Sequence, residues 1–220
     1  NEITNSDKVK RLVERGYITG YGDGSLGLNR DITRAEFTAI VTRALGLEDV
    51  AMSVGNTPTG FKDVNASAWY NPYIAMASSK GIIKGYPDGT FKPDANVKYQ
   101  EAITMMVRMV LNHQEMSIVE ASGKYPMNYY AKASQLKLLD GIRLADINTP
   151  AERGNIFVIL YNAIKYLEDK DSVDVEALIL EKHDDIAKAA ILRNTNSLKE
   201  GDILNLKLNK NNGEGMKVGE

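Results

Sequence analysis

Apolar side chains recur at helical spacing in three stretches of the chain, and a glycine-containing loop precedes each stretch. In the first stretch, Phe37, Ile40 and Val41 lie on one face of a predicted helix. A shorter apolar stripe predicts a further helix that ends at Gly81, because glycine readily takes the left-handed conformation that closes a helix. The pattern therefore predicts a mainly α-helical fold. The three long predicted helices span about residues 34–45, 99–111 and 153–166.

These helices belong to an internal repeat. The loop segment 16–26 recurs 65 positions later as 81–91, and a weaker third copy aligns residues 131–141 with 75–85. A linker rich in Gly, Pro, Ser and Thr is predicted at 49–60, between the first two copies. Because one helix pair cannot bury its own apolar face, the three copies are expected to pack on one another.

The C-terminal part has a different pattern. Residues 175–192 are moderately helical in character, whereas leucines alternate with polar residues over 204–208, which predicts a strand. An Asn-Asn-Gly turn within 211–218 predicts a hairpin. A small α/β appendage, or the start of a further domain, is expected. The predicted domains are three repeats at 1–50, 61–112 and 123–168 and an extension at 169–220.

Composition narrows the classes of function. The 220 residues are 43% hydrophobic and 25% charged with a net charge of −2, which is typical of a globular protein and argues against a nucleic-acid binder. No apolar run is long enough for a transmembrane helix, and the polar first residues predict no signal peptide. With no cysteine and two histidines, neither a cofactor nor a metal site is expected. Composition favours a binding or structural protein over an enzyme.

The loop and helix motifs resemble the surface-layer homology (SLH) repeat, the cell-wall anchor of bacterial surface proteins. The second copy has Phe-Lys-Asp-Val at 61–64, Trp69, and a Gly-Tyr-Pro-Asp-Gly-Thr-Phe-Lys-Pro run at 85–93. The first copy has Ile-Thr-Arg-Ala-Glu-Phe at 32–37. The resemblance implies a mainly α-helical, pseudo-threefold bundle of three repeats with grooves between adjacent repeats. It also implies that these grooves bind a secondary cell-wall polysaccharide, in many family members through the carboxylate of a pyruvate ketal.

The three copies depart from this pattern differently. Arg34 and Arg153 occupy the family's arginine position in copies one and three, whereas Tyr99 replaces it in copy two. Tyr125 occupies the tryptophan position in copy three, and copy one has no equivalent of Trp69. The groove at Tyr99 is therefore expected to be the weakest, and a groove that joins Arg34 to Trp69 is expected to be the best.

Arg34 lacks an obvious role in the helix that it begins. Thr33 and Glu36 form a predicted capping box and suffice to start the helix. A cation at a helix N-terminus is mildly unfavourable, so an anion should compensate for it. That anion is either a carboxylate of the protein or an acidic ligand held by the guanidinium fork.

The other candidate residues each have a structural alternative. Trp69 is either a core anchor or a flat platform for a sugar ring. Asp63 either accepts hydrogen bonds from sugar hydroxyls or caps the turn before Trp69. The Asp-Gly pairs are turn residues first, and their glycines also allow a ligand to approach the backbone. These pairs are Asp23-Gly24 and Asp88-Gly89.

Together these observations predict a non-catalytic module that binds a cell-wall polysaccharide at the surface of a bacterium, without inserting into a membrane. One alternative is a structural S-layer protein that self-assembles and whose N-terminal part is this anchor. A less favoured alternative is an enzyme acting on wall glycan, because no spacing of carboxylates singles out an acid and a base.

Overall fold

The structure is a computed structural model that describes residues 4–55 and 57–171 and the strands at 175–183, 186–194 and 203–207. The chain divides into two compact units, Asn1–Leu167 and Glu168–Glu220. Eight helices lie in the described residues, which confirms the mainly α-helical prediction. Their bounds are α1 Asn5–Glu14, α2 Arg34–Ala44, α3 Glu48–Val54, α4 Asn71–Ser79, α5 Tyr99–Val110, α6 His113–Ala121, α7 Met127–Gln135 and α8 Arg153–Asp171.

The second helix of each repeat begins where the sequence pattern predicts. In α2, the Thr33 hydroxyl accepts a hydrogen bond from the Glu36 amide, and the Glu36 carboxylate accepts one from the Thr33 amide. This confirms the capping box. Gly81, with φ of 70°, comes after α4 as predicted. The linker prediction is wrong in its first half, because α3 occupies Glu48–Val54 and buries Ala51.

A closed ring of three backbone hydrogen bonds joins the repeats at the starts of their second helices. The Ile32 amide donates to the Ala151 carbonyl, Ala151 donates to Val97, and Val97 donates to Ile32, at 3.1, 2.8 and 2.9 Å. Each repeat thus contacts both of the others, as a pseudo-threefold bundle requires. All three residues are fully buried.

Beside this ring, the first residue of each second helix is tied to the loop of another repeat. The order is cyclic: copy one contacts the loop of copy two, copy two that of copy three, and copy three that of copy one. Each helix start therefore lies next to a neighbouring loop, and this arrangement creates grooves between the repeats. The bonds run from Arg34 N to Ala95 O (2.9 Å), from Tyr99 N to Thr149 O (3.1 Å) and from Arg153 N to Arg30 O (2.9 Å).

The second unit contains a three-stranded antiparallel sheet in the order β1-β2-β3. The strands are β1 Val175–His183, β2 Ile186–Asn194 and β3 Ile203–Lys207. The helical prediction for 175–192 is wrong, because short apolar runs with branched side chains suit a paired strand as well as a helix. The strand predicted at 204–208 is confirmed as β3, and the hairpin partner predicted at 216–218 lies outside the described residues.

Candidate functional site

Arg34 is held almost completely buried, with 2% of its surface exposed. Its Nε donates to the carbonyl oxygen of Phe91 at 2.7 Å, and its Nη1 lies 3.1 Å from Oε1 of Glu101. The guanidinium carbon lies 4.7 Å from the ring centroid of Tyr86, where the π-face attracts a cation. No described residue accepts a hydrogen bond from Nη2. One edge of the fork therefore keeps its donors for a further partner.

Arg153, in copy three, is held in a similar way against the loop of copy one. Its Nε donates to the Leu26 carbonyl at 3.1 Å and its Nη2 to the Thr19 carbonyl at 3.3 Å. The guanidinium carbon lies 4.8 Å from the ring of Tyr21, and Nη1 lies 4.0 Å from Oε1 of Glu36. The contact with Glu36 is beyond hydrogen-bonding distance. Arg153 is therefore held by backbone carbonyls more firmly than by its carboxylate.

These contacts show that a carboxylate of the protein compensates for the charge of Arg34. Glu101, from the neighbouring repeat, is the carboxylate that compensates for Arg34 at its helix N-terminus. The same Glu101 carboxylate also accepts hydrogen bonds from the Lys98 amide and the Tyr86 hydroxyl. A single carboxylate thus serves three donors, and only one of the η nitrogens of Arg34 is among them.

Tyr99 occupies the arginine position of the second repeat and makes different contacts. Its hydroxyl accepts hydrogen bonds from Asn155 Nδ2 at 2.7 Å and from the Glu152 amide at 3.2 Å. Asn155 stands where the other copies have Glu36 and Glu101. A neutral pair therefore replaces the ion pair at this junction.

A groove of about 610 Å³, the Arg34 groove, opens between the loop of copy two, α5 and the start of α7. Tyr125, with 54% of its surface exposed, forms one wall. Five cationic side chains line the groove against one carboxylate, Glu101. The lining includes Arg34, Lys84, Tyr86, Lys92, Lys98, Glu101, Arg108 and Tyr125.

A second groove of about 250 Å³, the Arg153 groove, lies at the equivalent junction of copies one and three. Trp69 is 57% exposed and packs edge-on against Tyr70 and Tyr73, with ring centroids 5.5 and 6.2 Å away. The core-anchor alternative for Trp69 is therefore wrong. This groove holds two arginines and one glutamate. Its lining is Thr19, Gly20, Tyr21, Glu36, Ala39, Ile40, Arg43, Trp69 and Arg153.

The structure does not bring Arg34 and Trp69 together in one groove. Trp69 lies with Arg153, and Tyr125 lies with Arg34. Each groove takes its arginine from one repeat, its loop and second helix from the next, and its aromatic side chain from the third. A sequence analysis that pairs an arginine with an aromatic residue of the same copy or of the next copy therefore does not find this cyclic arrangement.

Asp63 is engaged by the loop of copy two. Its two carboxylate oxygens accept hydrogen bonds from the Phe91 and Lys92 amides, both at 2.8 Å. The turn before Trp69 is instead closed by Asn65, whose side chain accepts from the Ser67 amide. Asp63 therefore fixes the loop, does not cap that turn and lines neither groove.

The Asp-Gly pairs form turns, as predicted. Asp23 accepts a hydrogen bond from the Ser25 amide, and Asp88 accepts one from the Thr90 amide, both at 2.9 Å. These bonds lower the pKa of each carboxyl group, with the Thr90 hydroxyl contributing most at Asp88. The glycines after these aspartates, Gly24 and Gly89, have φ values of 79° and 82° and line neither groove. Neighbouring loop residues, which include Tyr21 and Tyr86, line the grooves instead.

The tyrosines of the Arg34 groove stay protonated over a wide pH range. Burial, and then the hydrogen bond to Glu101, raises the pKa of Tyr86 to about 12. Burial, followed by the charge of Glu101, also raises the pKa of Tyr125. Both hydroxyl groups are therefore neutral donors at physiological pH, which suits contact with an anionic or hydroxyl-rich ligand.

Arg108 is a groove residue that the sequence analysis missed. Its Nη2 donates to the Tyr129 hydroxyl at 3.2 Å, while its buried Nε has no hydrogen-bond partner among the residues that the structure describes. The equivalent Arg43, 65 positions earlier, donates through Nε to Glu48 and through Nη2 to the Tyr73 hydroxyl, at 2.8 Å each. The repeat offset that aligns these arginines could have indicated Arg108, but only the fold shows that no carboxylate of the described residues lies within ion-pair distance of its guanidinium.

Membrane-spanning and metal-binding features are both missing from the described part of the molecule. No helix there combines the length and apolar character needed to cross a membrane. No three side chains of the types that bind metals lie together in that part.

Comparison with known proteins agrees with the resemblance found in the sequence. The S-layer homology domain pattern matches residues 3–38 and 60–103. The chain is 40% identical over 157 residues to the middle cell wall protein of Brevibacillus brevis and 38% identical over 157 residues to the surface layer protein of Brevibacillus choshinensis. These alignments cover 71% of this chain but 14% and 13% of those relatives.

A further relative is the cellulosome-anchoring protein of Acetivibrio thermocellus, 32% identical over 123 residues, or 56% of this chain and 27% of that protein. More weakly similar relatives include proteins named endoglucanase and amylopullulanase. The family and the first relatives support a cell-wall anchoring module and place the chain at the bacterial cell wall or surface. The cyclic bundle, its two arginine grooves and these matches together identify the chain as a member of the S-layer homology domain family.

Proposed function

We propose that this chain anchors its parent protein to the cell wall by binding an acidic wall polysaccharide in the Arg34 and Arg153 grooves. One observation carries the proposal: each groove combines a buried, preorganised guanidinium with an exposed aromatic ring. The recognised group is a sugar carboxylate, such as a pyruvate ketal. The residues that bind it are Arg34 and Tyr125 in one groove and Arg153 and Trp69 in the other.

The chemistry of the guanidinium favours a carboxylate ligand. Backbone carbonyls and an aromatic face already fix Arg34 and Arg153, so little side-chain entropy is lost when a ligand binds. A carboxylate that enters the groove can accept charge-assisted hydrogen bonds from the η nitrogens. Because both guanidinium groups are shielded from water, these bonds are stronger than they would be at an open surface.

The aromatic rings add contact with neutral parts of the glycan. Trp69 and Tyr125 are more than half exposed and stand at the open side of their grooves. The axial C–H face of a pyranose is apolar, so it gains from burial against a flat ring. Carboxylate and sugar ring would thus be bound by different side chains of the same groove.

Calorimetric titration with purified wall polysaccharide, before and after mild acid removal of pyruvate ketals, tests this proposal. Arg34→Ala and Arg153→Ala should each weaken binding in their own groove by about 2–3 kcal/mol, the cost of a lost charged hydrogen bond. Arg34→Lys should recover only part of the loss, because an ammonium cannot form a bidentate pair. Arg143→Ala, which changes an exposed arginine outside both grooves, is the matched control.

Two outcomes would contradict parts of the proposal. Unchanged affinity of folded Arg34→Ala and Arg153→Ala proteins would remove the arginines from recognition. Binding that survives removal of the ketals would exclude the carboxylate as the recognised group and leave Trp69 and Tyr125 as the main contacts. Circular dichroism and thermal melts of each variant separate loss of binding from loss of the fold.

We further propose that the repeats at 1–50, 61–112 and 123–168 act as one binding unit and that residues 169–220 belong to the adjoining part of the parent protein. A module of this kind has no need of catalytic groups, so we infer that the chain is not itself an enzyme. Release of sugars from purified walls by this chain would contradict that inference.

A second candidate function is assembly of an S-layer, and the name of the Brevibacillus choshinensis relative favours it. The anchor would then be the same and the lattice contacts would lie elsewhere in the parent protein. Electron microscopy of the parent protein distinguishes the two: ordered sheets support a lattice protein, and dispersed particles support a simple tether.

A further inference from the structure

The last turn of α5 carries an arginine that lacks the carboxylate which its counterpart in copy one has. In copy one, Glu48 accepts a hydrogen bond from Arg43 Nε at 2.8 Å, and Glu48 is the first residue of α3. Arg108 lies 65 positions after Arg43, and α6 likewise begins 65 positions after α3, at His113. Copy two therefore keeps the arginine of this network but has a histidine in place of its carboxylate.

Arg108 keeps hydrogen-bond donors that the described residues do not use. Its Nη2 donates to the neutral Tyr129 hydroxyl, and its guanidinium carbon lies 5.3 Å from the centroid of the same ring. Its Nε is buried without an acceptor, and Nη1 donates to no residue that the structure describes. A charged donor that is removed from water without an acceptor is costly. An anion that binds beside Arg108 would reduce this cost.

Glu120 is the carboxylate at this end of the Arg34 groove, and other groups already engage it. It accepts a hydrogen bond from the Tyr129 hydroxyl at 3.1 Å and lies 3.4 Å from Nζ of Lys84. The Tyr129 hydroxyl and then Lys84 lower the pKa of Glu120, and the charge of Arg108 contributes less. One carboxylate thus serves two cations and a hydroxyl group, which leaves an excess of positive charge at this end.

The two arginines of this groove lie at different heights along α5. Arg34 is paired with Glu101 in the first turn of the helix, and Arg108 lies seven residues further on. Seven residues span about 10 Å of an α-helix. Burial and then the charge of Glu101 raise the pKa of Tyr125, and the charges of Arg108 and Arg34 both oppose this rise. The exposed ring of Tyr125 is therefore within electrostatic range of both arginines.

The equivalent position in the Arg153 groove is already neutralised. There Arg43 takes the place of Arg108, and it donates to Glu48 and to the Tyr73 hydroxyl. A ligand anion at Arg43 would have to compete with the carboxylate of Glu48. The two grooves therefore differ in the number of anions that they can accept.

We propose that the Arg34 groove binds a glycan segment with two anionic groups, one at Arg34 and a second at Arg108. The inference rests on the proposed function for the first anion and adds a subsite for the second, on a neighbouring sugar. The second group accepts a hydrogen bond from Nη1 of Arg108 and is attracted by Lys84. A uronic acid carboxylate and a sugar phosphate share the anionic oxygens that this subsite requires.

Calorimetry in a Trp69→Ala background, which leaves the Arg34 groove intact, tests the proposal with three defined probes. The first is a methyl hexoside with a pyruvate ketal, which has one anion. The second is the same unit linked to glucuronic acid, and the third is the same unit linked through a phosphodiester to a neutral hexose. At least one two-anion probe should bind about tenfold or more tightly than the one-anion probe. The better of the two identifies the source of the second anion.

Two substitutions assign this gain to the subsite. Arg108→Gln should bring the ratio of the affinities for the two-anion and one-anion probes close to one. His113→Glu restores the carboxylate that copy one has and should lower the ratio by roughly threefold or more, because Arg108 then has a partner within the protein. Glutamate suits the first turn of a helix, so this variant should fold. His113→Gln is the matched control and should leave the ratio unchanged.

The possible results separate this inference from the proposed function. If the one-anion probe binds and neither two-anion probe binds more tightly, the second subsite is wrong and the proposed function stands. A ratio that Arg108→Gln leaves unchanged would likewise overturn the subsite, because the gain would then come from elsewhere. Failure of all three probes to bind the folded protein would overturn carboxylate recognition at Arg34, and the second subsite with it.

Discussion

At the scale of single residues, a buried cation is tolerated here because every contact it makes is preorganised. Arg34 has a carbonyl, a carboxylate and two aromatic faces around it. The sequence reveals that Arg34 lies at a helix N-terminus, and this position indicates that an anion must accompany it. The sequence does not indicate that the anion is Glu101, because the two residues belong to different repeats and meet only when the ring of repeats closes.

Glu101 competes with an acidic ligand for Arg34, and a substitution can measure this competition. Glu101→Gln keeps an acceptor near Arg34 and Tyr86 but removes the negative charge. We expect affinity for the acidic polysaccharide to rise by roughly threefold or more, while stability falls by about 1–3 kcal/mol because the charged hydrogen bonds weaken. Calorimetry and urea unfolding measure the two effects. Weaker binding in a folded variant would mean that Glu101 itself contacts the ligand.

Asp63 offers a second test at this scale. Asp63→Asn leaves one acceptor for two backbone amides, so unfolding in urea should show a loss of about 1–3 kcal/mol. Glycan affinity of the remaining folded protein should stay within roughly twofold of the parent value, because Asp63 lines neither groove. A large loss of affinity with unchanged stability would restore the sugar-binding role for Asp63.

At the scale of elements, the sequence indicates the helices more reliably than their partners. The capping box of α2 is a local pattern, and its residues and spacing suffice to find it. The sequence does not indicate α3, because the residues that follow it are polar and resemble a linker. A network of side-chain hydrogen bonds connects this helix to the core. Glu48 accepts hydrogen bonds from Arg43 of α2 and Tyr73 of α4. Spacing alone does not indicate this network, because Tyr73 lies 25 residues after Glu48 in the chain.

The β strands of the second unit illustrate a different limit. Residues 175–192 combine aliphatic and charged side chains without a clear period, so helix and strand are nearly equal on pattern alone. Pairing decides the outcome. Val175 pairs with Asn194 in one antiparallel ladder, and Ile186 pairs with Lys207 in the next. Hydrogen bonds between segments supply the information that the local sequence does not specify.

The network of Glu48 predicts a pH dependence. The Tyr73 hydroxyl, and then the Arg43 guanidinium, hold the pKa of Glu48 below its ordinary value. Because the folded-state pKa of Glu48 lies below the unfolded-state value, about 4.3, the ionised carboxylate stabilises the protein at higher pH. This stabilisation is lost as the pH falls from that value through the folded-state pKa. The parent should therefore exceed Glu48→Gln in stability at pH 7 and approach it at low pH, as measured by thermal melts. A constant difference across this range would exclude Glu48 as the titrating group.

At the scale of the whole molecule, the repeats predict a bundle but not the order in which their parts meet. Each groove is built from three repeats, so no pair of neighbouring motifs contains it. The expected pairing of Arg34 with Trp69 was wrong for this reason, although each residue does line a groove. The two grooves differ in charge as a result of small substitutions spread over the whole chain.

This difference predicts that the two grooves respond differently to salt. Five cationic side chains line the Arg34 groove, where Arg34 is paired with Glu101 and Lys84 with Glu120, and no carboxylate in the described part of the chain forms an ion pair with Arg108. The Arg153 groove has two arginines, of which Arg43 is paired with Glu48. Screening weakens attraction between an anionic glycan and unpaired cations more than it weakens stacking on a ring.

Variants that disable one groove at a time measure this difference. Trp69→Ala leaves the Arg34 groove intact, and Tyr125→Ala leaves the Arg153 groove intact. Between about 0.05 and 0.5 M NaCl, the affinity of Trp69→Ala for the acidic polysaccharide should fall by roughly tenfold, and that of Tyr125→Ala by less than about threefold. The comparison is internal, since both proteins share one net charge and one ligand. Equal salt dependence would mean that the extra lysines and Arg108 do not contact the glycan, and that the guanidinium common to both grooves carries the electrostatic part of recognition.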